Sequence, residues 1–214
     1  MDIVLATANP HKVQELRAIL EPVIGAGRVL SLSEACAMRG LAEPPEPEES
    51  GATFEENARL KAVGYAAHLR LPCLADDSGL EVDALRGAPG VDSAHYAGRE
   101  GTRDVRDARN NARLLAELRA VPPGARQARF VCAMCLADGH GRVMHTTRGS
   151  FEGVVAEAPR GCGGFGYDSL LWLPEAGCTC AELSAEEKNR RSHRGEAARL
   201  MAQWLRGPNA REEP

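Results

Sequence analysis

Asp76 and Asp77 stand side by side behind the apolar run 71–75 and are followed at once by Ser78 and Gly79. Carboxylates placed this way suit a hard cation such as Mg²⁺, which takes oxygen ligands, often only one or two carboxylates, and leaves its other positions to water and substrate phosphates. A nearby acid can then draw a proton from water. In extended chain, successive side chains point to opposite faces, so the two acids are expected to have different tasks. The run places this charge at a strand end. Asp, Ser and Gly are also turn formers, and these four residues alone leave metal site and turn equally open.

Three other segments carry chemistry. Thr7, Ala8, Asn9, Pro10, His11 and Lys12 join a strand to a helix. The first backbone N–H groups of a helix have no internal partners and can bind an anion, and Lys12 adds the point charge that phosphate oxygens favour. The same residues also fit an ordinary capped helix with a surface lysine. Phe165, Gly166, Tyr167 and Asp168 follow Gly163 and Gly164, setting two aromatic rings among glycines that permit close backbone approach. A flat ligand such as a base could stack there, with Asp168 as a polar partner, unless the rings dip into the core. Lys188, His193 and Arg194 fall in a basic run that is either a solvated face or a reader of phosphate and base edge.

These groups need a frame. Residues 3–6 read as a buried strand, and Asn9-Pro10 supplies an N-cap and the residue favoured at the first helical position. Val13, Leu16, Ile19 and Leu20 continue the face of that helix. A proline- and glutamate-rich loop spans 43–51. Thr53-Phe54-Glu55-Glu56 then forms a capping box that opens a helix to about residue 69 and returns the chain to the acids. Residues 87–98 look irregular, and 102–118 carry apolar positions at helical spacing. Strands are expected at 127–137 and 143–151, joined through the hairpin chemistry of Asp138-Gly139-His140-Gly141. A glycine-rich turn, a strand at 170–173, a helix opening at Ser184 and a last helix over about 193–205 complete the order. The expectation is one α/β domain over 1–206, a central mixed sheet flanked by helices, and a flexible tail at 207–214.

Composition narrows the classes. The 214 residues are enough for a large core. With 30 acidic and 26 basic residues the formal charge is −4, and no basic block of the kind that grips polymeric nucleic acid is present. The amino terminus lacks a basic, then apolar, leader pattern, and no apolar stretch reaches membrane-spanning length; a soluble cytoplasmic protein is expected. Seven scattered cysteines argue for reduced thiols. Cys132 and Cys135 sit three apart in an expected strand and so face opposite ways. Cys178 and Cys180 lack a second pair, which makes a poor zinc site.

Taken in order, these pieces resemble the inosine triphosphate pyrophosphatase family. The matching motifs are Thr7-x-Asn9-x-x-Lys12, Thr53-Phe54-x-Glu56-Asn57 with Lys61, Ala75-Asp76-Asp77-Ser78-Gly79-Leu80, Gly87-x-Pro89-Gly90, Gly164-Phe165-Gly166-Tyr167-Asp168 and Ser192-His193-Arg194-Gly195. The resemblance spans about residues 3–205. It implies two lobes around a nucleotide-binding cleft, hydrolysis of non-standard purine nucleoside triphosphates (ITP, dITP, XTP) to a monophosphate and pyrophosphate, with Mg²⁺, and a homodimer. On the matching positions, Asp77 corresponds to the proton acceptor and a metal ligand, and Glu49 to a second metal ligand. Thr7 to Lys12 and Ser78 correspond to substrate-binding positions, Phe165 to Asp168 to the base-binding turn, and Lys188, His193 and Arg194 to further nucleotide contacts. Two positions depart from the pattern: His95 stands where many relatives have arginine, and Ser169 replaces the usual proline. Neither touches the proposed acid.

The 6-oxo group of inosine and xanthine is an acceptor where adenine carries a donor, so His193 or Arg194 could favour the former. Two other readings compete. A Maf-type nucleotide pyrophosphatase also joins an amino-terminal phosphate loop to acidic catalysis, and a nucleotide-binding sensor would need no acid beside a metal.

Overall fold

The computed structural model describes residues 1–207. In chain order the elements are β1 (Ile3–Leu5), α1 (Pro10–Ile24), β2 (Val29–Ser31), α2 (Leu32–Arg39), α3 (Phe54–Leu69), β3 (Cys73–Val82), α4 (Arg103–Glu117), β4 (Gln127–Ala137), β5 (Val143–Val155), β6 (Leu171–Leu173), β7 (Cys178–Thr179), α5 (Ala185–Arg191) and α6 (His193–Arg206). Strands follow the sheet order β2-β1-β3-β4-β5-β6-β7. β1 pairs in parallel with β2 and β3, while β6 pairs antiparallel with β5 and β7. The sheet is therefore mixed and the chain α/β, as its pattern of strands and helices led one to expect. The expected tail beyond 207 lies outside the described residues.

Local chemistry sets the element ends. Asn9 caps α1 by accepting the His11 N–H, and Pro10 follows at the first helical position. At α3 only half of the expected capping box forms. Thr53 accepts the Glu56 N–H, but the Glu56 carboxylate accepts from Ala52 instead of the cap residue. Ser184 and Glu187 make the full reciprocal box at α5. β2, α2 and β7 were not anticipated, although Ser31 and Glu34 form a complete capping box at α2.

β3 differs from the expectation in a way that matters. The strand does not stop at the acids but runs on to Val82, with Leu80 and Val82 buried. Extension continues because the residues after Asp77 still have a core to enter, and because the Leu80 N–H finds the Ser93 hydroxyl at 2.9 Å. Asp76 and Asp77 are thus mid-strand, and the turn reading falls.

The chain divides into two compact units. Unit 1 comprises Met1–Asp77, Cys132–Gly149 and the segment from His193 onward. Its core gathers Ile3 and Leu5 of β1, Leu16 and Leu20 of α1, Cys132, Met134 and Leu136 of β4, and Ala197, Ala198 and Met201 of α6. Fully burying a leucine contributes about 1.5–3 kcal/mol, so Leu16 and Leu20 alone fasten α1 firmly. Unit 2 comprises Ser78–Val131 and Ser150–Ser192. Its core joins Leu80 and Val82 of β3 to Leu114 of α4, Phe130 of β4 and Leu171 and Leu173 of β6, with Tyr167 among them.

All seven cysteines are free thiols. Among the described residues no helix is long and apolar enough to cross a membrane.

Candidate functional site

In unit 1 the alternation of β3 sends Asp76 and Asp77 to separate partners. Asp77 accepts from Lys61 Nζ at 3.0 Å and from Asn57 Nδ2 at 3.2 Å. Asn57 and Lys61 lie four apart on α3, hence on one helix face, and both are buried. Lys61 also reaches Glu49 at 2.9 Å. One ammonium therefore joins the two carboxylates expected to hold metal. Burial lowers a lysine pKa, but the charges of Asp77, Asp76 and Glu49 outweigh it, and Lys61 stays firmly protonated. Asp77 is raised above the ordinary aspartate value: burial and the neighbouring Glu49 overcome the pull of Lys61.

Asp76 sits in a different setting. Its Oδ2 lies 2.8 Å from Lys12 Nζ, 3.4 Å from Arg194 Nε and 3.8 Å from the Cys132 thiol. Burial would raise its pKa, but Lys12, Arg194 and Lys61 together hold it well below the usual carboxylate range. Its Oδ1 is buried with no hydrogen-bond partner. Cys132, expected to be structural, is buried, and its thiol is pushed up by burial and by Asp76.

The phosphate-loop residues lie in the same unit. Thr7 Oγ1 accepts the Asn9 N–H at 3.2 Å, which orders the turn from β1 into α1. Beside it a cavity of about 520 Å³ is lined by Thr7, Ala8, Pro10 and Val13, with Ser31 and Glu43 among the residues opposite. His193 and Arg194 open α6. A side chain at Gly149 on β5 would run into the His193 carbonyl and the Ala197 N–H, so only glycine lets this helix start approach the strand. Arg194 is 2% exposed and donates to Glu15 at 2.7 Å as well as to Asp76. Here the guanidinium expected to read a base edge is held inside unit 1 by two carboxylates.

Unit 2 carries the other expected residues. Ser78, half-buried, opens it immediately after Asp77. In the glycine turn, Asp168 Oδ2 accepts the Phe165 N–H at 2.7 Å and Lys188 Nζ at 2.8 Å. Gly164, at φ +73°, has no room for a side chain because the Asp168 carboxylate fills that space. Tyr167 does not offer a stacking face. It is buried in the unit 2 core and its hydroxyl donates to the Ser93 carbonyl at 2.9 Å. Phe165 is the half-buried ring, and Lys188 Nζ lies 4.9 Å from its centroid.

The structure thus brings Thr7 to Lys12, Glu49, Asp77, His193 and Arg194 together in unit 1, and Ser78, Phe165 to Asp168 and Lys188 in unit 2. Sequence reasoning did not single out Asn57, Glu15 or Cys132 as partners of the acids and gave Lys61 no task. The spacing of Asn57 and Lys61 on one helix face was the available signal; Glu15 and Cys132 carried none. Asp77 and Glu49 supply only charged oxygen donors, and a further buried oxygen, Asp76 Oδ1, lacks a partner. That donor set fits a hard divalent cation held by few carboxylates. Among the described residues no group of three His, Cys, Asp and Glu side chains could hold a metal without help from a ligand.

The chain is similar to known proteins along nearly its whole length. A model of the Ham1 family matches residues 3–204. A dITP/XTP pyrophosphatase of Thermus thermophilus is 49% identical over 215 aligned positions, covering 99% of this chain and 96% of that protein. A dITP/XTP pyrophosphatase of Geobacillus kaustophilus is 48% identical, covering 95% and 94%. The solved structure of a HAM1 protein from Coxiella burnetii superposes with a TM-score of 0.83 at 37% identity, covering 96% of this chain and 98% of that one. With a family model matched over nearly its whole length and relatives this similar, the chain belongs to the Ham1 family.

Proposed function

We propose that this protein hydrolyses non-standard purine nucleoside triphosphates, ITP, dITP and XTP, between the α and β phosphates to give a nucleoside monophosphate and pyrophosphate. One observation carries the reading: Asp77 and Glu49 converge on a single buried ammonium, Lys61, while Asp76, next to Asp77 in β3, is neutralised by other cations. This is an acid pair kept for chemistry, beside a helix start suited to phosphate. The Maf-type alternative gives way to the family match, and a binding-only sensor would have no use for the pair.

Asp77 takes the proton of the attacking water. Its raised pKa makes it a stronger base than an ordinary aspartate. Lys61 and Asn57 fix its orientation. Asp77 and Glu49 are the residues that would hold Mg²⁺, which would acidify water and offset charge on the pyrophosphate leaving group. Thr7 to Lys12 and Ser78 bind the triphosphate, Phe165 stacks on the base, and Asp168, Lys188, His193 and Arg194 supply polar contacts. Residues 1–206 are read as one nucleotide pyrophosphatase domain. The protein is further read as a cytoplasmic homodimer that acts on free nucleotides and not on polymeric nucleic acid, in keeping with its formal charge of −4.

The test is pyrophosphate release from ITP, dITP, XTP, GTP and ATP, with and without Mg²⁺. Release from the first three that depends on Mg²⁺ and far exceeds release from ATP is expected. Nucleotide binding with no release from any of them would leave the sensor.

A further inference from the structure

Resting on the reading that Phe165 receives the base, we propose that Arg103 clamps it: the guanidinium closes over the outer face of the purine stacked on the ring. Arg103, Asp107 and Asn111 are spaced four apart and so share one face of α4. That face grips the middle of the turn. Asp107 Oδ2 accepts the Gly166 N–H at 2.9 Å, and Asn111 Nδ2 donates to the Gly166 carbonyl at 3.0 Å. The third residue reaches the aromatic ring itself, with the Arg103 guanidinium carbon 4.5 Å from the Phe165 centroid.

Phe165 therefore carries two cations, and they are held differently. The Lys188 side chain is 11% exposed and ion-paired to the buried Asp168 at 2.8 Å. Arg103 is 41% exposed, and its contact with Asp107 Oδ2 is 3.8 Å, beyond hydrogen-bond range, to an oxygen that already serves Gly166. An exposed cation–aromatic contact is weaker than a base stacked on an aromatic face, so an arriving purine takes the ring and displaces the guanidinium, not the ammonium. Asp107 keeps the displaced group close. A guanidinium is planar and stacks on bases, which a lysine at 103 could not reproduce. Because every base offers a π-face, this contact raises affinity for purines alike and leaves discrimination to the polar groups.

The experiment measures the dissociation constant of IMP by calorimetry, and KM and kcat for ITP and GTP, in Arg103→Ala, Arg103→Lys and Phe165→Ala. Arg103→Ala is expected to weaken IMP binding and raise both KM values by about fivefold to tenfold, with kcat and the ITP-to-GTP preference unchanged; Arg103→Lys recovers only a small part. If Phe165→Ala weakens IMP binding while Arg103→Ala leaves it unchanged or tightens it, the clamp is wrong and the base site stands. If Phe165→Ala itself has no effect, the base site is wrong and the clamp falls with it.

Discussion

Asp76 and Asp77 are neighbours in β3, yet they pair with different ammonium groups, Asp76 with Lys12 at 2.8 Å and Asp77 with Lys61 at 3.0 Å. The pleat makes the separation, and the partners give it opposite effects. Asp76 is held below the ordinary carboxylate range and Asp77 is lifted above it. Asp76 is thereby held as an anion in the frame of unit 1, while Asp77 is the more basic of the two, as the proposed proton transfer requires.

Replacing Asp77 by asparagine preserves shape and removes the base. We expect kcat with ITP to fall about 10²- to 10⁴-fold, the usual worth of a positioned general base, with little change in Tm. A folded variant that keeps most of its turnover would falsify the assignment.

Lys61→Ala leaves Asp77 and Glu49 without their shared cation. Removing one member of a buried ion pair costs about 3–5 kcal/mol, to be read from urea denaturation. Mg²⁺ should raise Tm more in this variant than in the unchanged protein, because two uncompensated carboxylates then await a cation. Equal Mg²⁺ shifts in the two proteins would count against Asp77 and Glu49 as a shared metal site.

Arg194→Ala separates two tasks. Loss of its pairing with Asp76 and Glu15 predicts a destabilisation of about 3–5 kcal/mol. If Arg194 also meets the base, ITP efficiency and ITP-over-ATP discrimination decline together in the protein that remains folded. Lost stability with intact discrimination would make its task purely structural.

Asp138 tests the pH behaviour of the β4–β5 hairpin. It accepts the N–H groups of His140 and Arg142 at 2.8 and 2.9 Å and the Arg142 side chain at 2.7 Å. Burial works to raise its pKa, but these hydrogen bonds outweigh burial and lower it. The folded value lies below the unfolded one, near 3.9, so the stabilisation is fully present above that pH and is lost as pH falls through the folded value. Asp138→Ala is expected to cost about 1–3 kcal/mol at neutral pH, and the gap should close on acidification below about pH 4. A gap independent of pH in paired urea titrations would contradict this account.

Much of the frame was legible because local rules decided it. The Asn9-Pro10 start of α1, the Ser184 box and the Asp138 hairpin each rest on contacts a few residues apart. The site residues were legible as types. What the sequence could not reveal was pairing at long range: that Cys132 lies against Asp76, that Glu15 shares Arg194, or that Tyr167 turns into the core and leaves Phe165 as the ring for stacking. β3 was cut short for the same reason, since acids read as a strand's end unless one knows the cations that neutralise them.

The contact between Asp76 and Arg194 spans 118 positions. During synthesis, the buried acid is made long before α6 emerges, and until then it has Lys12 but neither Arg194 nor the helix that covers it. The first unit can therefore close only once α6 has been made, after the whole of unit 2 has been made between its segments. A nascent chain halted before α6 holds that acid without its guanidinium, in a core that still lacks Ala197, Ala198 and Met201.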